Sequence, residues 1–439
     1  MSRTIIIGAG LSGLVHAYQL TALGREVLLL EASERPGGVV RSETQDGYLL
    51  ELGPNTVRPT PEIWTLANVL GIQSEAVVVR SKAPRYIDYA GKLHPLPMSP
   101  GSLVTTRLLS ARGKLRIFAE PFIRRAAPPS DTVRSFFTRR LGIEVAERLV
   151  EPFVSGIFAG DGMRLSAAAS FPRLKRWEQN NGSLFLGALA ERLRGKGNPK
   201  SPVRGLLAFQ KGLETLPRTL AAGLGSRLRT KTPVIKLIRF GNSWTVRTMD
   251  EELPAARVVI ATPAGEAARL VDSFAPAAAR ALAAIPYPPL AVLHLSWPAA
   301  AFARTPDGFG QLTVPHAGRR ILGALYTSSL FPDRAPEGQV LMTIFVGGAR
   351  DPEAPSLSDS ELTSIAVRDV NATLGVRKDP QIVRVTRYLT ALPQYDMGHE
   401  ARMKTLAEAE QGWPGLVFLG NYRGGVSVGD VVKNALKTE

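Results

Sequence analysis

Residues 3–38 read RTIIIGAGLSGLVHAYQLTALGREVLLLEASERPGG, and the order of patterns in this stretch sets the fold. Arg3 to Ile7 is a short run rich in isoleucine, the pattern of a buried strand. Gly8-Ala9-Gly10-Leu11-Ser12-Gly13 fits G-x-G-x-x-G, a helical pattern follows to Gly24, and Glu26 to Leu30 reads as a second strand with Glu31 at its end. The spacing gives each residue a task. Gly8 permits the tight turn, Gly10 lets a pyrophosphate reach the backbone, and Gly13 lets helix and strand pack closely. The start of the helix aims free N–H groups and the positive end of its dipole at the phosphates. The Glu31 carboxylate can accept hydrogen bonds from a ribose diol. A glycine-rich turn alone is a weak signal. With a strand before it, a helix after it and an acid at the right distance, it points to a dinucleotide site, whereas a glycine turn of another α/β fold leaves the acid without a reason.

The chain continues as Glu31-x-x-x-Arg35-x-Gly37-Gly38-x-x-Arg41, followed by Glu51-Leu52-Gly53-Pro54-Asn55. A domain that binds only NAD does not need the second glycine pair. This pattern resembles the one that follows the first βαβ unit in flavoproteins of the amine-oxidase superfamily. There the second loop folds over the pyrophosphate and ribityl chain, so Arg41 and Arg35 would offer charge to the phosphates. The structural alternative is a surface loop with two ordinary arginines.

Near the C-terminus, Gly415 to Asn421 reads as a buried strand running into a glycine turn, and Gly424-Gly425-Val426-Ser427-Val428-Gly429-Asp430 leads into a short helix over Val431 to Leu436. A second strand, turn and helix start again aims a helix N-terminus at an anionic or electron-rich group. The nucleotide-binding part is therefore expected in separated pieces, over 1–80, 205–270 and 400–439. Between them, 81–101 and 271–399 read as a substrate-binding part. It has a hairpin turning at Ala90-Gly91, strands at Ala291–Trp297, Gly308–Val314, Arg320–Tyr326, Val340–Val346 and Ile382–Tyr388, and a helix over Ser358 to Leu374. The return of the nucleotide-binding sheet is expected from strands at Thr232–Arg239, Ser243–Thr248 and Ala256–Ala261, after a helix that begins at Phe209.

The insertion 102–204 is helical and basic, with nineteen Arg and Lys against eight Asp and Glu. Val104, Leu108, Ala111, Leu115, Phe118 and Phe122 recur at helical spacing, flanked by Arg107, Arg112, Lys114, Arg116, Arg124 and Arg125. Two readings stand: the core of a helical region, or a face that docks on anionic lipid. Gly195 to Pro202 reads as a mobile loop. The whole chain of 439 residues carries a net charge of +16, which favours an anionic partner such as a membrane surface. No nucleic-acid recognition motif is present. The absence of cysteine excludes disulfides, thiolate metal sites, cysteine nucleophiles and a flavin tethered through a cysteinyl thioether. His16, His94, His294, His316 and His399 show no ligand spacing, so no metal centre is expected. With no secretory signal and no long apolar run, the expectation is a cytoplasmic protein, peripheral on the inner face of the cell membrane.

The ordered motifs GAGLSG with EASERPGG, ELGPN, RYIDYAGKLHPLP, SGIFAGD, LSAAASFP, FQKGLETLP, GFGQLTVP, ILGALYTSSLFP, FVGGAR, LPQYDMGH and GNYRGGVSVGD span nearly the whole chain. They resemble the oxygen-dependent protoporphyrinogen oxidases. The resemblance implies an α/β fold: a discontinuous Rossmann-like FAD-binding domain, a mixed-sheet substrate domain and an inserted helical domain that associates with membrane. It implies non-covalent FAD, a tetrapyrrole substrate, and removal of six electrons from protoporphyrinogen IX in three flavin cycles, with dioxygen reduced to hydrogen peroxide. It leaves open a homodimer and contact with a downstream heme-pathway enzyme. It places FAD on Gly8, Ala9, Gly10, Leu11, Ser12, Gly13, Glu31, Ala32, Gly38, Arg41, Gly53, Pro54, Asn55, Thr56, Val234, Gly420, Val426, Ser427 and Val428.

By the same resemblance, Arg85 pairs with a substrate propionate and Asn55 lies near flavin and substrate. Phe309, Gly310 and Leu312 form a pocket strand, and Leu325 and Phe345 sandwich pyrrole rings. No catalytic side chain is implied, because the cofactor carries the redox chemistry. Lys211 departs from the family pattern, which often has a second glycine there. Coproporphyrinogen III oxidation is the nearest rival; an amine oxidase would need an aromatic cage beside the flavin, and Tyr422 is its one visible candidate. A non-catalytic porphyrin carrier is a third reading.

Overall fold

The computed structural model describes residues 3–79, 83–124, 131–194, 203, 205–315 and 318–438; Arg125, the 195–202 segment and His316 lie outside them. The apolar strand Thr4–Ile7 forms the middle of a five-stranded sheet. Val27–Leu30 and then Leu228–Arg229 lie on one side of it, Arg257–Ile260 and Leu416–Phe418 on the other, all parallel. Burial on both faces explains why Thr4–Ile7, Val27–Leu30 and Arg257–Ile260 carry consecutive apolar residues rather than alternating ones.

One face is covered by the helices Leu11–Ala22, Thr215–Leu224 and Val428–Lys437. The other is covered by the helices Ala264–Val271, Pro276–Ala283 and His399–Gly412, together with a small antiparallel sheet over Lys236–Phe240, Ser243–Arg247 and Glu252–Ala255. The expected return of the sheet is thus carried by Arg257–Ile260, while the two preceding runs pair only with each other and with Glu252–Ala255. Phe209 does not open a helix. It ends the strand Leu207–Phe209, which pairs with Ala76–Val78, and the helix starts at Thr215. Gly212 sits at φ +93°, against the Ser42 side chain, and gives the turn between them.

The second sheet has seven strands, in the order Gln381–Tyr388, Leu290–Pro298, Gln339–Gly347, Ile321–Leu325, Gly310–Thr313, Arg85–Tyr89, Lys92–Pro95. It is mixed, because Gly310–Thr313 pairs in parallel with Arg85–Tyr89 and every other pair is antiparallel. The helix Asp359–Leu374, held by a Ser358–Glu361 capping box and closed by Gly375 in the left-handed region, covers one face.

The expected stripe from Val104 to Phe122 is not one helix. It breaks into Pro100–Thr105, Ala111–Phe118 and a single turn over Glu120–Phe122. Ser110 causes the break: its hydroxyl caps the Gly113 N–H at 3.0 Å while its own N–H is held by Glu144 at 2.8 Å. Leu108 is buried, but Leu115, Phe118 and Phe122 are 69%, 58% and 88% exposed. The stripe is therefore not the core of this region. That core is built by Val133, Phe136, Phe137, Val154, Leu165 and Leu184.

Candidate active site

The carboxyl ends of four adjacent parallel strands lie side by side, with Ile7 in register with Leu30 and Ile260, and Ile260 with Phe418. Crevices at this edge are the usual ligand sites of such sheets. Gly8 turns there at φ +101°, and a Cβ at Gly13 would overlap the Gly8 carbonyl oxygen, so both glycines answer to packing. Gly10 is different: its backbone is ordinary, at φ −65°, and a Cβ would meet no protein atom within 4 Å. The backbone of this turn is therefore open to a ligand.

The second loop closes on the first. Gly10 bridges Gly37, the Gly37 N–H donates to the Ala9 carbonyl at 2.8 Å, and a Cβ at Gly38 would lie 3.2 Å from the Gly10 Cα. Gly53 lies against the Val39 carbonyl, so Gly53, Pro54, Asn55 and Thr56 join the same edge. Asn55 donates to the Gly53 carbonyl at 3.2 Å, which folds its amide back on this turn. Glu31 receives the Ala9 N–H at 2.7 Å and both the N–H and hydroxyl of Ser33, which fixes the carboxylate beside the exposed Ala32.

Arg35 does not face outward. It donates to the Gly38 carbonyl at 2.6 Å and pairs with Glu214 at 3.3 Å, so it braces the loop, while Arg41 is exposed and contacts Glu43 at 3.2 Å. The Thr232 N–H donates to the Glu31 carbonyl, which brings the Val234 segment to the same end. Val234 itself is buried and its carbonyl accepts from Arg269 at 3.0 Å.

The C-terminal piece arrives from the other side. Leu419 N–H donates to the Ile260 carbonyl, placing Gly420 at the strand edge. The Tyr395 hydroxyl donates to the Asn421 carbonyl at 2.7 Å and accepts the Gly425 N–H at 2.9 Å, which shapes the loop before Val426. Burial raises the Tyr395 pKa, with the Gly425 hydrogen bond working against it. Ser427 caps the final helix, which begins at Val428 rather than Val431. This helix packs on the first one, with His16 Nδ1 3.1 Å from the Ala435 carbonyl. Burial lowers the His16 pKa to about 4. Tyr422 is fully buried in the core beneath the sheet with Ile5, Ile7 and Phe418. It cannot present its ring to a ligand, which removes the one visible candidate for an amine cage.

Glu51, in the ELGPN run, is a brace. It accepts from Ser42 Oγ at 2.6 Å, Leu213 N at 2.9 Å and Arg334 at 2.8 Å. Burial pushes its pKa up, against the Arg334 charge and these hydrogen bonds.

Of the expected substrate residues, Arg85, Gly310, Leu312, Leu325 and Phe345 share one face of the seven-stranded sheet, while Asn55 and Phe309 lie outside it. Gly310 is opposite Arg85 and Leu325, Leu312 opposite Gly323, and Gly323 opposite Phe345. Leu312, Leu325 and Phe345 are each only partly buried, whereas Gln311, Ala324 and Ile344, which point the other way, are buried. The face is therefore apolar and only partly covered. Gly310 (φ +141°) and Gly323 have no room for a Cβ, which keeps its middle flat. The helix Glu151–Phe158 seats Gly156 on Leu312 and borders this face. Phe309 packs on the core beneath the nucleotide-binding edge, and the Arg85 guanidinium lies over its ring at 4.8 Å. Sequence reasoning missed Arg58, whose charge acts on Arg85. It is an exposed arginine in a loop, without a pattern to mark it.

The glycine edge, the fixed carboxylate, the uncapped start of the helix Leu11–Ala22 and the Ser427-capped start of the helix Val428–Lys437 form a set of donors and acceptors that fits a dinucleotide. Among the described residues no cluster of His, Asp or Glu could hold a metal ion.

Comparison with known proteins agrees. The family model for flavin containing amine oxidoreductases matches residues 11–438. The chain is 35% identical to the chloroplastic protoporphyrinogen oxidase of Nicotiana tabacum, over 98% of this chain and 83% of that protein. It is 30% identical to the coproporphyrinogen III oxidase of Bacillus subtilis (strain 168), over 98% and 95%. Among solved structures, an Exiguobacterium sp. 255-15 protein assigned as a protoporphyrinogen oxidase superposes with a TM-score of 0.81 at 25% identity, over 99% of this chain and 97% of that one. Cyclohexylamine oxidase from Brevibacterium oxydans IH-35A shares the fold at a TM-score of 0.69 and 17% identity, over 99% and 98%.

Proposed function

Because the chain belongs to the flavin containing amine oxidoreductases, and within them to the protoporphyrinogen oxidase group, we propose that it oxidises protoporphyrinogen IX to protoporphyrin IX on non-covalent FAD. Six electrons and six protons leave the ring, and three dioxygen molecules become three hydrogen peroxides. When bound, the flavin supplies two-electron acceptance and reoxidation by oxygen. The observation that carries the substrate side is the partly exposed apolar face of Leu312, Leu325 and Phe345, flattened by Gly310 and edged by Arg85.

The chain's own work is binding and orientation. Gly8 to Gly13, Gly37 and Gly38 enclose the pyrophosphate, and Glu31 holds the ribose. Gly53 to Thr56 and Gly420 to Val428 border the isoalloxazine end. The flat face receives the macrocycle, whose apolar disc leaves water on contact with it. Arg85 holds a propionate through charge-assisted hydrogen bonds. This reading assigns 1–80, 205–270 and 400–439 to the cofactor, and 81–101 and 271–399 to the substrate, except the helix Pro276–Ala283, which packs on the five-stranded sheet.

Anaerobic mixing with protoporphyrinogen IX is expected to bleach the flavin band, and oxygen is expected to restore it with release of peroxide. A flavin that stays oxidised with this porphyrinogen, or responds only to coproporphyrinogen III, refutes the assignment. In the same assay Arg85→Ala is expected to weaken porphyrinogen binding roughly tenfold to a hundredfold and leave the limiting rate of flavin reduction nearly unchanged. Equal loss of both, with flavin missing, means a folding role.

The basic insertion 102–204 is proposed to rest on an anionic membrane at the inner face of the cell membrane. Among the described residues no helix is long and apolar enough to cross a membrane. Leu115, Phe118 and Phe122 are exposed beside Arg112 and Lys114, the mixture that interfacial docking requires. Flotation with phosphatidylglycerol vesicles is expected at low salt and to weaken as salt rises. Absence of binding at every ionic strength ends this proposal.

A further inference from the structure

The strand Gln381–Tyr388 closes one edge of the seven-stranded sheet, and a short connection leads from it to the helix His399–Gly412, which packs on the five-stranded sheet. Backbone bonds hold this connection: the Ala391 N–H donates to the Pro288 carbonyl at 3.3 Å and the Gln394 N–H to the Pro286 carbonyl at 2.9 Å. A tyrosine stands at each end of it. The Tyr388 hydroxyl donates to the Leu52 carbonyl at 2.7 Å. The Tyr395 hydroxyl donates to the Asn421 carbonyl at 2.7 Å and accepts the Gly425 N–H at 2.9 Å.

All three partners are main-chain atoms of the two loops assigned above to the isoalloxazine end. The Leu52 carbonyl belongs to the peptide that enters Gly53, so its tie fixes the start of the turn Gly53 to Thr56. Asn421 and Gly425 are the two ends of a turn in which Gly424 and Gly425 take φ +76° and +128°. Glycine gives such a turn wide backbone freedom, and one phenolic oxygen bonds both of its ends. Tyr395 is itself fixed: it is buried and stacked on the His399 ring, with centroids 3.9 Å apart and planes at 13°. Burial is the main cause that lowers the His399 pKa to about 4, so the stacked imidazole is neutral. The backbone bonds already close the connection, and the two hydroxyls carry its position to loops that are distant in sequence.

We propose that Tyr388 and Tyr395 are positioning residues that clamp the two loops at the isoalloxazine end and, through the shape of those loops, set the reduction potential of the flavin. This rests on the placing of Gly53 to Thr56 and Gly420 to Val428 given above, and adds what holds them. Fixed backbone dipoles stabilise charge without reorganising. The helix Val428–Lys437 follows directly on the clamped turn, and a helix start favours negative charge. Reduction adds negative charge to the ring, so loosening the turn costs the reduced form more than the oxidised one.

The test uses the flavin-loaded protein and Tyr→Phe variants, which keep the ring and remove only the oxygen. In Tyr395→Phe the affinity for reduced flavin is expected to fall about tenfold further than that for oxidised flavin, a drop in midpoint potential of about 30 mV for a two-electron couple. The visible flavin spectrum should shift, and kcat should fall with KM held. Tyr388→Phe is expected to shift spectrum and potential by less, since it loses one hydrogen bond rather than two. Tyr326→Phe is the control: its buried hydroxyl donates to Gln311, on the other side of the substrate sheet, at 2.9 Å. Its loss should lower the melting temperature and leave spectrum and potential at wild-type values. An unchanged spectrum and potential in either Tyr388→Phe or Tyr395→Phe, or an equal shift in Tyr326→Phe, overturns the clamp and leaves the cofactor reading in place. Wild-type protein that holds no flavin overturns the cofactor reading and this inference with it.

Discussion

Gly10→Ala is expected to purify colourless, yet to melt like flavin-stripped wild type. Gly13→Ala is expected to lose both flavin and stability. The motif has more than one glycine, but these two are required for different reasons. At Gly13 an added Cβ overlaps the Gly8 carbonyl oxygen and comes within 3.3 Å of the Ala261 Cβ, so the turn must open before any ligand is present. Overpacking of this kind costs about 1–3 kcal/mol, and it displaces the strand edge on which the phosphates depend. At Gly10 the backbone lies at φ −65° and ψ 174°, which alanine adopts freely, and the new methyl meets no protein atom within 4 Å. Only a ligand pressed against the backbone feels it. The ratio of flavin to protein absorbance, with melting curves of the flavin-free proteins, separates the two effects. Full flavin content in Gly10→Ala would mean that the pyrophosphate does not approach this turn.

Arg140→Met is expected to destabilise the helical insertion by about 3–5 kcal/mol, because it strips the partner from a buried carboxylate. Arg140 and Glu120 are both wholly buried and ion-paired. Arg140 also donates to the carbonyls of Ile123 at 2.9 Å and Gly182 at 2.8 Å, and Glu120 accepts from Ser183 at 2.6 Å and Leu184 N at 2.9 Å. Next to this pair, Arg139 bridges Asp131 and Glu178, and Lys175 contacts the same two acids.

Burial works to raise the Glu120 pKa, but the hydrogen bonds from Ser183, Leu184, Arg140 and Phe185 outweigh it and the net shift is downward. A carboxyl whose folded pKa lies below its unfolded value adds stability above the unfolded value and loses it as pH falls through the folded one. The insertion should therefore loosen on acidification. Limited proteolysis is expected to cut Arg140→Met first within 102–204 while the flavin stays bound, since the five-stranded sheet contains no residue from this segment. Simultaneous release of flavin would show that insertion and sheet unfold as one unit. A melting curve unchanged from wild type would mean that the buried pair adds no net stability.

The cofactor half of this protein is legible one residue at a time. The turn at Gly8 to Gly13, the acid at Glu31 and the glycine pair at Gly37 and Gly38 are local devices: each depends on backbone freedom or charge at fixed spacing, and neighbours in sequence are neighbours in space. Sheet alternation works similarly, and residue parity along 85–89, 310–313 and 321–325 is enough to put Arg85, Gly310, Leu312 and Leu325 on one face once the pairing is known. The basic stripe misleads because helical spacing from Val104 to Phe122 says nothing about Ser110, whose cap depends on Glu144 far along the chain.

Arg35 and Glu51 are similar cases. Their types suggest ligand contact or charge, and their packing partners Glu214 and Arg334 turn them into braces. Arg58 is a different case: it is exposed, and no spacing distinguishes it among the 54 Arg and Lys residues of the chain. Short-range rules of turn, cap and alternation thus delivered the α/β class and the dinucleotide edge. Which charges are matched was decided only by the tertiary structure, because an unpaired charge is costly where water is excluded, and Arg35 and Glu51 meet Glu214 and Arg334 only when distant segments pack.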